Sequence, residues 1–107
     1  MLAAKAGLGA RELLPIVNQS SAQVYASLAP LFFGRNFEMT LFKLGIAEKD
    51  VALALESARA LAAPLPLAEA AAQTYHRAVE EGRAEQVFFA TLATLERAAG
   101  VEVEKVG

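Results

Sequence analysis

The sequence of 107 residues contains no cysteine and only one histidine, and each scarcity excludes a class of chemistry. Without cysteine the chain can form neither a disulfide framework, nor a thiolate nucleophile, nor a zinc–sulfur site. This composition suits a reducing compartment, so we expect a cytoplasmic protein. The single His76 supplies neither a metal site nor a Ser-His triad by itself. Its position on a predicted helix, opposite Leu67, predicts exposure to solvent.

The chain also lacks an excess of positive charge and a long apolar run. Ten Lys and Arg residues are scattered among twelve Asp and Glu residues, so no basic stripe for nucleic acid forms. No uninterrupted apolar run is long enough for a transmembrane helix, and Lys5 interrupts the stretch that a secretory signal would need. The hydrophobic content of 55% is nevertheless high, which predicts that another subunit or domain covers part of the surface.

Glycine and proline divide the sequence into helical segments. The predicted helices are a short one before Gly7, one over about 11–19, one capped by Ser20 and Ser21, a long one from Thr40 or Leu41 to Ala62, and two over about 67–81 and 86–99. Residues 30–35 are predicted to form an apolar loop. The long helix is apolar around most of its girth, which is typical of a central, buried helix. We therefore predict one compact all-α domain of five or six helices over residues 1–100, with residues 101–107 as a tail.

Two adjacent charges, Lys49 and Asp50, interrupt the apolar pattern near the start of the long helix. Charges on such a helix are costly unless they meet a partner, a ligand or water. The helix dipole favours Asp50 in an early turn but not Lys49. From the residues alone, a solvated patch shared with Glu48 is the simpler interpretation, and a ligand contact remains the alternative.

The segment Gly7-Leu8-Gly9 is interpreted as a turn between helices and not as a dinucleotide-binding fingerprint. The sixth position of a G-x-G-x-x-G motif would be Glu12, whose carboxylate would repel a pyrophosphate. No predicted strand precedes the segment, although the fingerprint requires one.

The segment Phe42-Lys43-Leu44-Gly45-Ile46-Ala47-Glu48-Lys49-Asp50 opens an Ala- and Leu-rich helix, with the aromatic residue eight positions before the aspartate. This arrangement resembles the C-terminal domain of the β-hydroxyacid dehydrogenases, which include 3-hydroxyisobutyrate dehydrogenase and tartronate semialdehyde reductase. Other features follow the order of the family: Lys5-Ala6-Gly7-Leu8, Leu13-Leu14, Pro64-Leu65-Pro66-Leu67, Tyr75, Gly82 and Leu95-Glu96. The resemblance spans roughly positions 2 to 100 and implies a helical fold like the C-terminal domain of 6-phosphogluconate dehydrogenase.

The resemblance also implies roles for three residues. Lys49 would contact NAD or NADP in the cleft between two domains, through a cofactor phosphate or the nicotinamide end. Asp50 would orient Lys49 or the neighbouring backbone, and Phe42 would pack beside the site. The family transfers hydride between this cofactor and a small β-hydroxy acid or its semialdehyde. The polar turn from Asn18 to Ser21 would approach the substrate side of the cleft, although helix capping explains the same residues equally well.

The Rossmann domain of the family, and a catalytic lysine in a Gly-x-x-x-Lys-x-x-Asn pattern, would stand before Met1. We therefore expect a domain truncated within its N-terminal long helix that cannot perform the reaction alone. The surface that this truncation would expose predicts a homodimer or higher oligomer, with residues 2–5 and the long helix near the contact. The alternative is a non-catalytic, all-helical homo-oligomerisation module derived from the same family.

Overall fold

The computed structural model describes residues 2–20, 24–39 and 41–106, and within them it contains six α-helices, one 3₁₀ turn and no β-strand. The elements are α1 (Leu2–Lys5), α2 (Ala10–Asn18), α3 (Val24–Phe33), α4 (Leu44–Ala60), α5 (Pro66–Glu80), the 3₁₀ turn (Phe88–Ala90) and α6 (Thr91–Ala99). The predicted all-α class is therefore confirmed. None of these helices is both long and apolar enough to cross a membrane.

The predicted loop over residues 30–35 is wrong, because α3 continues through Pro30 to Phe33. Proline removes one backbone donor from the helix interior. The apolar side chains on both sides of Pro30 are buried or half-buried, and their burial offsets the lost hydrogen bond. The chain leaves the helix at Gly34, whose N–H donates to the carbonyl of Pro30 at 3.0 Å.

The longest helix, α4, starts later and is less buried than predicted. It begins at Leu44 and not at Leu41, because the residues before it are not helical: Lys43 is extended and forms an isolated β-bridge with Val87. Thr40 lies outside the described residues. One face of α4 is buried, at Leu44, Ala47, Leu55 and Ala58. The predicted burial around most of the girth is therefore wrong, since much of the apolar content comes from exposed alanine, which favours helix formation by itself.

The chain forms two compact units, Phe37–Thr94 and Met1–Asn36 with Leu95–Gly107. The core of the first unit contains Leu44, Ala78 and Ala90, none of which has exposed surface. In the second unit, α2 packs against α3. Its residues 101–106 form no regular secondary structure, but Val106 donates its N–H to the carbonyl of Phe33 at 2.9 Å. The division at residue 100 into a domain and a tail stays a prediction.

Two glycines end helices as predicted. Gly7 and Gly82 have φ angles of 83° and 85°, in the left-handed region where only glycine lacks a steric penalty. After α5, the N–H of Gly82 donates to Val79 at 2.9 Å and that of Arg83 to Ala78 at 3.1 Å. These two bonds form a Schellman motif, which satisfies the last carbonyls of the helix.

Candidate functional site

The start of α4 is held by the segment that precedes the 3₁₀ turn. The N–H of Leu44 donates to the carbonyl of Gln86 at 2.8 Å, and that of Gly45 donates to Ala84 at 2.9 Å. In the opposite direction, the N–H of Phe88 donates to the carbonyl of Phe42 at 2.7 Å. The first turn of the helix is therefore fixed by backbone contacts with residues about 40 positions later in the chain.

These contacts also decide what the N-terminus of α4 can bind. The next two amides, of Ile46 and Ala47, both donate to the carbonyl of Lys43 at 3.1 Å. A helix N-terminus binds phosphate through unsatisfied N–H groups, and here the first four amides already have backbone acceptors. An anion near this end of α4 must therefore be bound by side chains.

Lys49 and Asp50 lie in the second turn of α4, and their side chains are in contact. The Nζ atom of Lys49 lies 3.1 Å from Oδ1 of Asp50, with 62% and 53% of the two side chains exposed. Among the described residues, Asp50 is the only ion-pair partner of Lys49. A lysine ammonium has three donors, so most of its hydrogen-bonding capacity remains for water or a ligand.

Exposed apolar side chains stand on both sides of Lys49. Ile46 precedes it by three positions and Leu53 follows it by four, so all three share one face of the helix. Ile46 is 42% exposed and Leu53 is 53% exposed. The site thus combines one cation with an apolar surface, which sequence analysis missed. The spacing of Ile46, Lys49 and Leu53 could have indicated this surface. It places them on the face of α4 opposite the buried Leu44, Leu55 and Ala58.

Phe42 lies two residues before α4 and is anchored by aromatic contacts. Its ring is edge-to-face with that of Phe88, at a centroid distance of 6.0 Å. Phe88 in turn contacts Phe89 at 5.6 Å, and Phe89 is buried. Phe42 itself remains 40% exposed. The structure thus brings Lys49 and Asp50 together and places Phe42 against Phe88.

Glu48, the third member of the predicted solvated patch, contacts His76 of α5. Nδ1 of His76 lies 3.2 Å from Oε1 of Glu48, and its Nε2 lies 3.6 Å from Oε1 of Glu80. The imidazole is 64% exposed, which confirms its predicted position at the surface. The described residues include no group of three or more His, Asp and Glu side chains suited to a metal ion.

The polar turn after α2 is only partly described, since Ser21 lies outside the described residues. The hydroxyl of Ser20 donates to the carbonyl of Val17 at 2.6 Å, so Ser20 serves the C-terminal end of α2. The Oδ1 atom of Asn18 is buried and accepts no hydrogen bond from the described residues. This bond satisfies a carbonyl at the end of α2. The predicted capping of the next helix by Ser20 and Ser21 stays a prediction, because residues 21–23 lie outside the described residues.

A comparison with protein families matches residues 1–106 to one family, described as NAD-binding of NADP-dependent 3-hydroxyisobutyrate dehydrogenase. No curated protein matches the chain significantly. The family match covers almost the whole sequence and agrees with the all-α fold. The chain therefore belongs to the family of NAD-binding domains of NADP-dependent 3-hydroxyisobutyrate dehydrogenase.

Proposed function

We propose that this chain is the NAD(P)-binding and dimerisation half of a β-hydroxyacid dehydrogenase and contributes Lys49, Asp50 and Phe42 to the cofactor site. The observation that supports this most directly is the exposed ammonium of Lys49, which stands between Ile46 and Leu53 on the outer face of α4. A solvated surface patch would need no such apolar flanks. A dinucleotide has both anionic phosphates and flat apolar rings, so it matches both features.

The residues present fit such a cofactor. Lys49 would donate to a phosphate oxygen or to the nicotinamide carboxamide, and Asp50 would hold the ammonium in place. Phe42 would cover the end of the site next to the first turn of α4. When bound, the cofactor supplies or accepts the hydride. This chain would bind and orient it, while its backbone contacts to residues 84–88 keep the site fixed.

The substrate would be a small β-hydroxy acid or its semialdehyde, in a cytoplasmic enzyme. The 107 residues contain no Gly-x-x-x-Lys-x-x-Asn pattern, which holds the acid/base lysine of the family. We therefore expect no turnover from these residues alone, since general acid/base catalysis and the positioning of the substrate both contribute large factors to the rate.

Removal of the Lys49 ammonium tests the proposed site. Lys49→Ala should weaken NADH binding by about tenfold or more, because a charge-assisted hydrogen bond contributes about 1.5–3 kcal/mol. Binding is measured from backbone amide shifts of the full 107-residue chain during titration with NADH. Lys105→Ala is the matched control, since it removes an exposed lysine from the C-terminal segment and should leave the affinity unchanged.

The same titration separates the two candidate functions. Absence of NADH binding at millimolar concentration, with an intact amide spectrum, would reject the retained cofactor site and favour the non-catalytic oligomerisation module. Equal weakening in Lys49→Ala and Lys105→Ala would indicate attraction by net charge and would also reject a specific site.

We also propose that the chain forms a homodimer or higher oligomer through the C-terminal end of α4, the loop after it and the first turn of α5. Leu61 is 80% exposed and Leu67 is 86% exposed, and Leu65 between them is 40% exposed. Three exposed leucines within seven residues of sequence are costly to leave in water, at about 25 cal/mol per Å² of apolar surface. A two-fold interface brings the same surface of both copies together, so these leucines would be buried against those of a second copy.

The oligomer is tested by light scattering at tens of micromolar protein. The expected mass is at least twice the 11.3 kDa of one chain. The double substitution of Leu61→Glu and Leu67→Glu should shift the measured mass towards that of the monomer, because association would then bury two charges in the contact. A wild-type mass of one chain would overturn this proposal without affecting the NADH test.

A further inference from the structure

A groove of about 300 Å³ lies between α4 and α5, and Lys49 does not line it. Its apolar lining consists of Leu55, which is buried, and of alanine side chains from both helices. Four polar side chains line the remainder: Glu48 and Arg59 from α4, and Gln73 and His76 from α5. The groove therefore combines an apolar surface with a few polar groups, as small-molecule sites do.

The polar groups differ in whether they already have partners. Glu48 and His76 contact each other at 3.2 Å. Among the described residues, neither the guanidinium of Arg59 nor the amide of Gln73 has a hydrogen-bond or ion-pair partner. The groove thus offers one unpaired cation and one unpaired amide beside the surface of Leu55. An anionic group is the ligand chemistry that complements them.

We infer that this groove binds a small monocarboxylate with a short aliphatic chain. The planar guanidinium of Arg59 can donate two parallel hydrogen bonds to a carboxylate. The aliphatic chain would lie on Leu55 and the adjacent alanines, where it leaves water. Glu48 lines the same groove and Glu69 lines the adjoining cavity beside Arg59. Their repulsion increases with the charge of the ligand, so it opposes a dianion such as phosphate more than a monocarboxylate.

The test is a titration of the labelled 107-residue chain with hexanoate, followed by backbone amide shifts. A ligand of this size should bind with a dissociation constant on the order of 1 mM. Shifts should concentrate in the segments 52–59 and 72–76. Arg59→Gln should weaken binding at least tenfold. Arg77→Gln, which removes an exposed arginine of α5 outside the groove, should leave binding unchanged.

Three further ligands define what the groove recognises. Acetate should bind at least tenfold more weakly than hexanoate, because it has almost no aliphatic chain. Hexylamine and inorganic phosphate should give no saturable shift in either segment. Equal hexanoate binding in Arg59→Gln and wild type, or no saturation by hexanoate up to about 50 times the expected dissociation constant, would overturn the inference. Retention of hexanoate binding in Lys49→Ala separates this groove from the proposed cofactor site.

Discussion

Glu96→Gln should lower the free energy of unfolding by about 3 kcal/mol, because among the described residues the largely buried guanidinium of Arg35 would keep only the distant, exposed Glu102 as a counter-charge. Only 8% of the Glu96 side chain and 20% of the Arg35 side chain are exposed. Both carboxylate oxygens accept from Arg35, with Nη2 to Oε2 at 3.0 Å. Oε1 also accepts the N–H of Val103 at 2.8 Å. One side chain thus joins the end of α3, helix α6 and the C-terminal segment of the same unit. Urea denaturation measures the effect.

Glu102→Gln is the matched control for this prediction. Glu102 also faces Arg35, but at 3.9 Å and with 79% of its side chain exposed, so its removal should cost less than about 0.5 kcal/mol. Equal and small effects of the two substitutions would contradict the importance that we assign to the buried pair.

The pH dependence of the contact between Arg35 and Glu96 follows from the pKa of Arg35. The hydrogen bond with Glu96 raises the pKa of Arg35, although burial opposes the rise. A raised pKa means that the stabilisation from Arg35 is complete below its unfolded-state pKa and is lost only as pH rises through the higher folded-state pKa. The arginine therefore stays charged across the neutral range, so the cost of Glu96→Gln should not decrease at mildly alkaline pH.

Leu44→Ala should also cost about 3 kcal/mol, because it creates a cavity in the core of the unit that contains α4. Leu44 has no exposed surface and packs with Ala78 and Ala90. Its N–H is bonded to Gln86, so the backbone cannot easily move into the vacated space. Since Leu44 is the first residue of α4, the substitution should also loosen the proposed cofactor site.

Leu53→Ala is the control on the same helix, with the same change of side chain. Leu53 is 53% exposed, so its truncation should cost less than about 1 kcal/mol. Both variants are compared by urea denaturation at equal protein concentration, because a change in self-association would alter apparent stability. Equal losses for the two leucines would show that the outer face of α4 is covered in solution.

Only some features of the candidate site could be predicted from a short sequence pattern. The Lys-Asp pair after Phe42 was recognisable as a motif of the family, and the match over residues 1–106 confirms the family, whereas the role of the pair at a cofactor site stays a prediction. The surroundings of Lys49 and Asp50 could not be predicted from the motif, because the one-sided burial of α4 follows from its contacts with α5 and with the 3₁₀ turn. The aromatic partner of Phe42 could not be predicted either, since Phe88 lies 46 positions later.

By itself the sequence determined the helical class, the helix ends at Gly7 and Gly82, and the motif by which the family is recognised. Helical periodicity and the preference of glycine for left-handed φ angles are local, so a short window of residues contains them. Only the tertiary structure decided the continuation of α3 through Pro30, the outward face of Lys49 and the pairing of Arg35 with Glu96. Each of these depends on burial against residues distant in the chain, and burial can override local preference.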